Sequence, residues 1–328
     1  MSLAPDSLQS LLTASADEAW ASIREQMVSV WQPDYDAGTE LSQARQREGN
    51  LASLDLLLSH AVWPLWHSFS ASVPRAAQAL ADFWAAHPGG RAVLMLDSLS
   101  LRELPLLTAA ARARNLTIHR VSTFGCELPP VTNTFANALG FSSRSALDNN
   151  GASSSAFPGA HTLSHALPWE DAAVGVPPTP GVLCWHHWPD DRLHHLDGSD
   201  GGLDKLFPEM VKQLTGDAFW SFVKKLATGR RLVITSDHGY AVSGGFPNVS
   251  TDQKDYLREK FSAQRFRADA VDTREWLPPL TATLATASGP ATFVTGRQKW
   301  QVPGGFPSLS HGGLTLMETF VPWVEISL

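Results

Sequence analysis

The sequence predicts an α/β protein with a mostly parallel central sheet, helices on both faces of that sheet, and a helical segment before it. Residues 1–88 carry apolar side chains at helical spacing and show no strand-like alternation. From residue 89 to residue 328, short apolar strands alternate with helical stretches, which is typical of a parallel sheet covered on both sides. With 328 residues and 43% hydrophobic content, the chain can bury a large core.

The first part of the chain contains several stretches with helical periodicity, and His87-Pro88-Gly89-Gly90 ends the last of them. These predicted helices are Ser7–Leu12, Asp17–Trp31, Leu51–Trp66 and Arg75–Trp84. Nothing in this part resembles an alternation of strands and helices, so residues 1–88 are predicted as a helical N-terminal segment.

The second part of the chain alternates between predicted strands and helices. The predicted strands are Arg91–Leu96, Leu116–Ser122, Gly181–Trp188, Arg231–Thr235, Ala291–Thr295 and Phe320–Ile326. The predicted helices are Leu101–Asn115 and Val131–Leu139, and Leu203–Ala227 is predicted as a helical region. Asn149–Pro180 is rich in Ser, Ala, Gly and Pro and is predicted as a long loop or an insertion over the sheet edge. Residues 243–290 carry mixed charges and are predicted as a cap or insertion.

Composition excludes several classes of protein. The net charge of −7 argues against binding duplex nucleic acid through a general basic surface. It does not exclude a local basic groove. Cys126 and Cys184 are too few for a disulfide framework and lie in apolar surroundings, so buried free thiols are expected. The sequence shows no signal-peptide pattern and no apolar stretch long enough to span a bilayer. We therefore expect a soluble cytoplasmic protein with no membrane partner.

Acidic and imidazole side chains collect at the ends of the predicted strands. In an open α/β sheet, ligands bind beyond the carboxyl ends of the strands. The side chains found there, or just before the final strand, are Asp97, Asp190, Asp191, His194, His195, Asp237, His238 and His311. Carboxylate oxygens and imidazole nitrogens together suit zinc or manganese. The sequence therefore predicts a shared metal site at one edge of the sheet.

Each of these residues alone has an ordinary structural interpretation. Asp97 could cap the following helix, the adjacent acids at 190 and 191 could be turn residues, and His311 beside two glycines could mark a turn. Their joint placement at strand ends favours the metal site. Asp190/His194 and Asp191/His195 have the same spacing of one helical turn, so the spacing does not choose between these two pairs.

A candidate nucleophile lies in the stretch LPPVTNTFANALG, Leu128 to Gly140. Thr132 falls where the helix after the two prolines begins, among backbone N–H groups that have no intrahelical acceptor. A threonine at this position also commonly caps the helix with its own hydroxyl. The two interpretations differ in where the hydroxyl points.

Taken together, four motifs resemble the PglZ domain, a branch of the alkaline phosphatase superfamily. They are MLDSLSLREL, LPPVTNTFANALG, VITSDHG and SHGGLTLMETFVPWVEI. The resemblance spans roughly Arg91 to Leu328 and implies an alkaline-phosphatase-like domain over residues 89–328. The last motif, His-Gly-Gly followed by a Glu and a Val-Pro strand, is the most specific of the four.

The resemblance implies two divalent metal ions, zinc in the first place and manganese as the alternative. One ion would be held by Asp97, Thr132, Asp237 and His238. The other would be held by Asp190, His194 and His311, with Asp191 and His195 as the alternative pair. Thr132 would be the nucleophile, because a divalent ion lowers the pKa of its hydroxyl, and would form a phosphothreonine that water hydrolyses.

Residues that would contact the substrate are less well defined by the motifs. The backbone N–H of Asn133 is a candidate donor to the phosphoryl oxygens, and Asn149 or Asn150 could supply an amide. Arg102 and Arg192 are the candidate cations for a phosphate. Since basic residues are few near the threonine, a diester is favoured over a monoester as substrate.

The resemblance implies a metal-dependent phosphodiesterase or related phosphohydrolase acting on nucleotide or nucleic-acid phosphoesters. PglZ domains occur in bacteriophage-exclusion defence systems and in signalling proteins, so protein partners from such a system are expected. The alternative is a catalytically silent scaffold that docks partner proteins. A mutase would present serine and a sulfatase a formylglycine precursor, and Thr132 fits neither.

Overall fold

The computed structural model describes residues 13–196, 202–244, 246, 249–271, 274–303 and 305–328. The helices in these ranges are α1 Ala16–Trp31, α2 Glu40–His60, α3 Phe69–Ser72, α4 Ala76–Ala86, α5 Leu104–Ala113, α6 Thr132–Ala138, α7 Trp169–Val174, α8 Asp190–Leu196, α9 Gly202–Thr215, α10 Asp217–Ala227, α11 Thr251–Phe261 and α12 Leu316–Thr319. Short 3₁₀ helices occupy Trp63–Ser68, Leu101–Glu103 and Arg144–Asn150. The strands are β1 Arg91–Leu96, β2 Thr117–Gly125, β3 His161–His165, β4 Gly181–His186, β5 Arg231–Thr235, β6 Ala241–Val242, β7 Phe266–Arg267, β8 Thr281–Thr286, β9 Gly289–Val294, β10 Leu309–Ser310 and β11 Phe320–Ser327.

A six-stranded central sheet organises the molecule in the order β2-β11-β5-β1-β4-β3. Strand β1 pairs in parallel with β4 and with β5, and β3 pairs in parallel with β4. Strand β11 runs antiparallel to both β2 and β5, so it is the reversed strand of this sheet. The predicted α/β fold with a mostly parallel central sheet is therefore confirmed.

Both faces of the central sheet are covered, because alternate residues of each strand enter different apolar clusters. Val93 and Met95 of β1 pack in a cluster with residues of α4 and α6. Ala92 and Leu94 of the same strand pack in a second cluster with residues of α1, α5 and α10. The prediction of helices on both faces is confirmed. The two cysteines are buried and free, as expected.

The N-terminal helices are joined to the sheet by an aromatic cluster. The ring centroid of Trp20 lies 5.2 Å from that of Trp66, 5.1 Å from that of Phe69 and 6.1 Å from that of Phe320, which begins β11. The predicted helical segment before the sheet is confirmed over the residues described, whereas the predicted helix Ser7–Leu12 lies outside them. Dividing the chain into domains at residue 88 stays a prediction. Among the described helices, none combines the length and the apolar character that crossing a membrane requires.

Two element predictions differ from the structure, each for a local reason. Ala291–Thr295 was expected in the parallel sheet, but β9 belongs to a separate antiparallel sheet with the order β7-β9-β8. Asn149–Pro180 was expected to be a long loop or an insertion over the sheet edge, but it contains α7 and the edge strand β3, whose inward residues Thr162 and Ser164 are polar and give no apolar signal. The predicted helical region Leu203–Ala227 is confirmed and consists of two helices, α9 and α10, that separate at Gly216.

The loop after β5 requires glycine at position 239 because another backbone segment passes close to it. A Cβ on Gly239 would lie 2.2 Å from the carbonyl oxygen of Met317, and the Gly239 N–H donates to the carbonyl oxygen of Glu318 at 3.1 Å. Backbone atoms cannot swing aside as the end of a long side chain can. This approach holds the Asp237-His238 loop against α12.

Gly239→Ala is expected to lower the free energy of unfolding by about 1–3 kcal/mol, because the added methyl group overpacks this contact. Urea unfolding followed by circular dichroism measures the change. Gly89→Ala is the matched control, because a Cβ there meets nothing within 4 Å. An unfolding midpoint for Gly239→Ala equal to that of the wild type would show that the loop can move away from α12.

Candidate metal centre

The carboxyl edge of the central sheet brings together acids and imidazoles from distant parts of the sequence. Asp97 follows β1, Asp190 begins α8 after β4, and Asp237 and His238 follow β5. Strands β4, β1 and β5 are parallel neighbours, so these residues emerge at the same edge. His311 reaches this edge from the opposite direction, since β11 is reversed and begins there. The parallel topology therefore builds the cluster that the strand-end pattern predicts.

The first group of potential ligands consists of Asp97, Asp237 and His238, whose ligand atoms all lie within 4.8 Å of one another. His238 Nε2 lies 3.4 Å from Asp237 Oδ2 and 3.7 Å from Asp97 Oδ1. All three side chains are buried, and among the described residues neither Asp237 Oδ2 nor His238 Nε2 has a hydrogen-bond partner. Buried polar atoms without partners are rare, so this donor set fits a divalent cation.

The tautomer of His238 is consistent with metal binding. Its Nδ1 lies 3.1 Å from the carbonyl oxygen of Gly239, which can only accept a hydrogen bond. Nδ1 therefore carries a proton, which leaves Nε2, the atom that faces Asp97 and Asp237, as the ring nitrogen available to a metal.

A second group of potential ligands adjoins the first. Ligand atoms of Asp190, His238 and His311 lie within 4.8 Å of one another, and the rings of His238 and His311 stack with centroids 4.5 Å apart. His194 Nε2 lies 3.4 Å from Asp190 Oδ2 and 3.4 Å from His311 Nε2. His238 thus belongs to both groups, and His194 lies on the solvent side of the second group.

The two acid–imidazole pairs that the sequence leaves open differ in position. The N–H of Asp190 donates to the carbonyl oxygen of Asp97 at 3.1 Å, which fixes Asp190 at the sheet edge. Asp191 and His195 are exposed, and the ring of His195 contacts the carbonyl oxygen of Asp191 one helical turn away. Asp190 and His194 are the pair that lies beside His311.

The hydroxyl of Thr132 points toward the first group. Its Oγ1 lies 3.3 Å from Asp97 Oδ1 and 3.4 Å from Asp97 Oδ2. Thr132 is the first residue of α6, and the residue in the capping position is Val131. The capping interpretation of Thr132 is therefore wrong. The capping interpretation of Asp97 is also wrong, because Ser100 caps the 3₁₀ helix that follows.

Sequence reasoning missed Arg144, whose guanidinium group contacts the same carboxylate as the Thr132 hydroxyl. Its Nη1 donates to Asp97 Oδ2, the carboxylate that also faces the Thr132 hydroxyl. Arg144 begins a 3₁₀ helix in a stretch without helical or strand periodicity, so no sequence pattern singles it out.

Ser98 is the second residue that sequence reasoning missed. Its Oγ donates to Asp190 Oδ1 at 2.7 Å and lies 3.3 Å from His238 Nδ1, and its N–H donates to Asp237 Oδ1 at 3.1 Å. Ser98 has a φ of 62°, an uncommon conformation for a residue with a side chain. One residue thus positions acids from both groups, and its place directly after Asp97 was the available signal.

Ser98→Ala is expected to weaken divalent-ion binding roughly 10–100-fold, the usual effect of removing a hydrogen bond to a metal-ligating side chain. Competition against a chromophoric chelator measures the affinity. Ser122→Ala, on β2, removes a half-buried hydroxyl far along the sheet and is the control. Equal affinities for Ser98→Ala and the wild type would mean that Asp190 needs no such positioning.

The protonation equilibria at the site reflect a concentration of buried acids. Burial and the neighbouring charges of Asp237 and Asp190 raise the pKa of Asp97 well above its usual value, although Arg144 acts in the opposite direction. Burial and the charge of His238 lower the pKa of His311 to about 3, so its ring is neutral at ordinary pH. Closely spaced carboxylates beside the neutral ring of His311 form a site whose charge a bound cation would balance.

Several predicted substrate contacts lie elsewhere. Arg102 is fully buried, with its Nε 2.6 Å from Glu48 Oε2 and its Nη2 3.0 Å from the carbonyl oxygen of Tyr240, so its prediction as a substrate contact is wrong. Arg192 binds Glu209 through two hydrogen bonds of 2.8 and 2.7 Å at the surface.

The structure also shows where the predicted donors Asn149, Asn150 and Asn133 lie. Asn150 Oδ1 accepts the N–H of Thr162 at 3.0 Å and so holds the start of β3, while Asn149 is exposed with a φ of 52°. Asn133 follows Thr132 in the first turn of α6, where its N–H has no acceptor within the helix. Its role as a donor to the substrate stays a prediction.

Comparison with known proteins gives structural likenesses at low identity. The chain matches no protein-family model and no curated protein sequence. Human ectonucleotide pyrophosphatase/phosphodiesterase 5 is similar in structure, with 10% identity, a TM-score of 0.43, and coverage of 72% of this chain and 87% of that chain. Murine ectonucleotide pyrophosphatase/phosphodiesterase 5 is similar in an inactive form in complex with AMP, with 15% identity, a TM-score of 0.32, and coverage of 49% of this chain and 52% of that chain. A further structure of the murine protein has 13% identity, a TM-score of 0.29 and the same coverages of 49% and 52%.

Proposed function

We propose that this protein is a metal-dependent phosphodiesterase in which Thr132 is the nucleophile. The observation that supports this most directly is the position of the Thr132 hydroxyl, 3.3 Å from Asp97 Oδ1, at a buried group in which Asp237 Oδ2 and His238 Nε2 lack partners among the described residues. A hydroxyl that faces such a donor set has the surroundings that activation as a nucleophile requires.

Two ions complete the proposed site. Asp97, Thr132, Asp237 and His238 would hold one ion, and Asp190, His194 and His311 the other. When bound, divalent ions lower the pKa of a hydroxyl and stabilise the attacking and leaving oxygens of an in-line displacement. Zinc is the proposed metal, with manganese as the alternative, because the donor set mixes imidazole nitrogens with carboxylate oxygens.

The side chains of this protein carry the following steps. Asp97 accepts the hydrogen bond of the Thr132 hydroxyl and orients its oxygen toward phosphorus. Thr132 Oγ1 forms a bond to phosphorus as the ester P–O bond breaks, and the alcohol leaves with the proton lost by the hydroxyl. Arg144 adds positive charge beside Thr132, where negative charge develops on the phosphoryl oxygens. Water then hydrolyses the phosphothreonine on the side of Asp190 and His311.

A diester fits this site better than a monoester. A monoester carries one more negative charge than a diester, and the charge of Arg144, which contacts the same acid as Thr132, is already partly balanced by Asp97. We therefore propose nucleotide or nucleic-acid diesters as substrates. From the four sequence motifs we further propose a PglZ-domain protein of a bacterial phage-defence or signalling system, acting in the cytoplasm.

Hydrolysis of bis-p-nitrophenyl phosphate tests the proposed function. Protein treated with EDTA is expected to be inactive, and reloading with zinc or manganese is expected to restore activity with two ions bound per chain. Asp190→Asn/His194→Ala is expected to abolish activity, whereas the matched control Asp191→Asn/His195→Ala is expected to retain it. Full metal occupancy without hydrolysis would favour the scaffold alternative. A protein that retains no divalent ion under any loading would exclude the site itself.

A further inference from the structure

Neighbouring cavities lead away from the candidate metal centre toward α11. The first, of about 190 Å³, is lined by His194, His311 and Ser310 among others. A narrow cavity of about 10 Å³ shares Ser310 with the first and is also lined by Ser243 and Lys299. The next cavity, of about 350 Å³, shares Ser243 and Lys299 with the narrow one. We name this last space the distal cavity. Its lining includes Ser243, Lys254, Arg297, Lys299 and Phe306.

The distal cavity lies close to the metal centre because β6 and β10 connect them. The Oγ atoms of Ser243 and Ser310 lie 2.7 Å apart across this strand pair, and Ser310 directly precedes His311. Adjacent strands are separated by roughly 4.8 Å. The lining of the distal cavity and His311 are therefore close neighbours in the fold.

The distal cavity is basic in a protein whose net charge is −7. Lys254, Lys299 and Arg297 line it, and no carboxylate does so in the part of the chain that the structure describes. Lys254 and Lys299 are half-buried, and neither forms an ion pair with any described residue. A half-buried ammonium group without an acidic partner is stabilised by a bound anion.

Arg297 is the third basic residue that lines the distal cavity. Its side chain is 1% exposed, with Nε 2.6 Å from Asp55 Oδ2 and Nη1 donating to Glu48. Its Nη2 is buried and has no partner among the described residues. The two acids offset the charge of Arg297, so it adds no net charge to the distal cavity. Arg297 also borders a cavity of about 480 Å³, but Glu48 and Asp204 line that one, so it does not favour an anion.

An aromatic ring stands beside these cations. Phe306 is 43% exposed, and Lys299 Nζ lies 5.6 Å from the centre of its ring. An exposed ring next to basic side chains is the combination that binds single-stranded nucleic acid, because bases stack on the ring while phosphates meet the cations.

We infer that the distal cavity binds a second nucleotide of the substrate, with its phosphate at Lys254 and Lys299 and its base on Phe306. The substrate class is then a single-stranded oligonucleotide rather than a mononucleotide ester. This inference rests on the proposed function, in that it assigns the scissile phosphate to Thr132.

Binding of a fluorescent single-stranded DNA oligonucleotide, followed by anisotropy in EDTA so that no turnover occurs, tests the distal cavity. Lys254→Ala/Lys299→Ala is expected to raise the dissociation constant roughly tenfold. The slope of log affinity against log salt concentration should fall by about 0.7, because the contact to one phosphate is lost. The matched control is Lys224→Ala/Lys225→Ala, which removes two exposed lysines from α10.

Hydrolysis assays with two substrates distinguish a failure of this inference from a failure of the proposed function. Lys254→Ala/Lys299→Ala is expected to raise KM for the oligonucleotide about tenfold and to leave kcat/KM for bis-p-nitrophenyl phosphate unchanged, since that ester has no second phosphate. Equal loss on both substrates, equal dissociation constants for the two double variants, or no oligonucleotide binding by the wild type would overturn the inference. A protein that binds as expected but hydrolyses neither substrate would retain the distal cavity and refute the phosphodiesterase.

Discussion

Thr132→Ala is expected to lower kcat for bis-p-nitrophenyl phosphate by about 10³-fold or more, the scale of loss when a covalent nucleophile is removed. The physical reason is that Oγ1 of Thr132 is the hydroxyl that faces Asp97, at 3.3 and 3.4 Å from its two carboxylate oxygens. Without it, no side chain forms the bond to phosphorus. Steady-state hydrolysis at saturating substrate and metal measures the loss.

Two further variants in α6 test the same prediction. Thr132→Ser keeps a hydroxyl at the same position and is expected to retain part of the activity. Thr134→Ala removes a threonine hydroxyl in the same turn of α6 and is expected to be as active as the wild type. Mass spectrometry of protein quenched during turnover should find the phosphoryl adduct on Thr132. Wild-type kcat in Thr132→Ala, with metal content unchanged, would remove Thr132 from the mechanism.

Glu48→Ala is expected to lower the free energy of unfolding by about 3–5 kcal/mol, because it leaves buried cations without a shared partner. Glu48 Oε2 lies 2.6 Å from Arg102 Nε, and Oε1 accepts from Arg297. Burial acts to raise the pKa of Glu48, but Arg102 and Arg297 outweigh burial and lower it to about 2. The carboxylate is therefore charged in the folded protein and stabilises both guanidinium groups.

Urea unfolding of Glu48→Ala beside Glu25→Ala provides the measurement. Glu25 is exposed on α1, so its removal is expected to change the free energy of unfolding by less than about 0.5 kcal/mol. Glu48→Gln keeps the shape of the side chain and is expected to fall between the two. If Glu48→Ala unfolds at the wild-type midpoint, water or another acid must replace the carboxylate at both arginines.

The fold was predictable because its signals are local. Apolar residues at helical spacing indicated α1 and α4, and the continuous apolar runs at Arg91–Leu96 and Arg231–Thr235 indicated strands covered on both sides. Strand β3 was missed because its inward residues Thr162 and Ser164 are polar, so a strand at the sheet edge carries no apolar alternation.

Much of the candidate site was also predictable, for a topological reason. Parallel strands end at the same edge of a sheet, so acids and imidazoles that follow such strands must approach one another. That rule brings Asp97, Asp190, Asp237 and His238 together without any knowledge of their distances. It says nothing of residues that reach the edge from irregular segments.

What the sequence by itself determined is the order of strands and helices and the set of acids and imidazoles placed at the carboxyl edge of the sheet. Only the tertiary structure decided that His194 rather than His195 faces His311, that Arg144 reaches Asp97, and that Arg102 lies in the core. The reason is that periodicity and strand order depend on neighbours along the chain. The direction of one side chain depends on packing against residues far away in sequence, such as the 47 positions that separate Arg144 from Asp97.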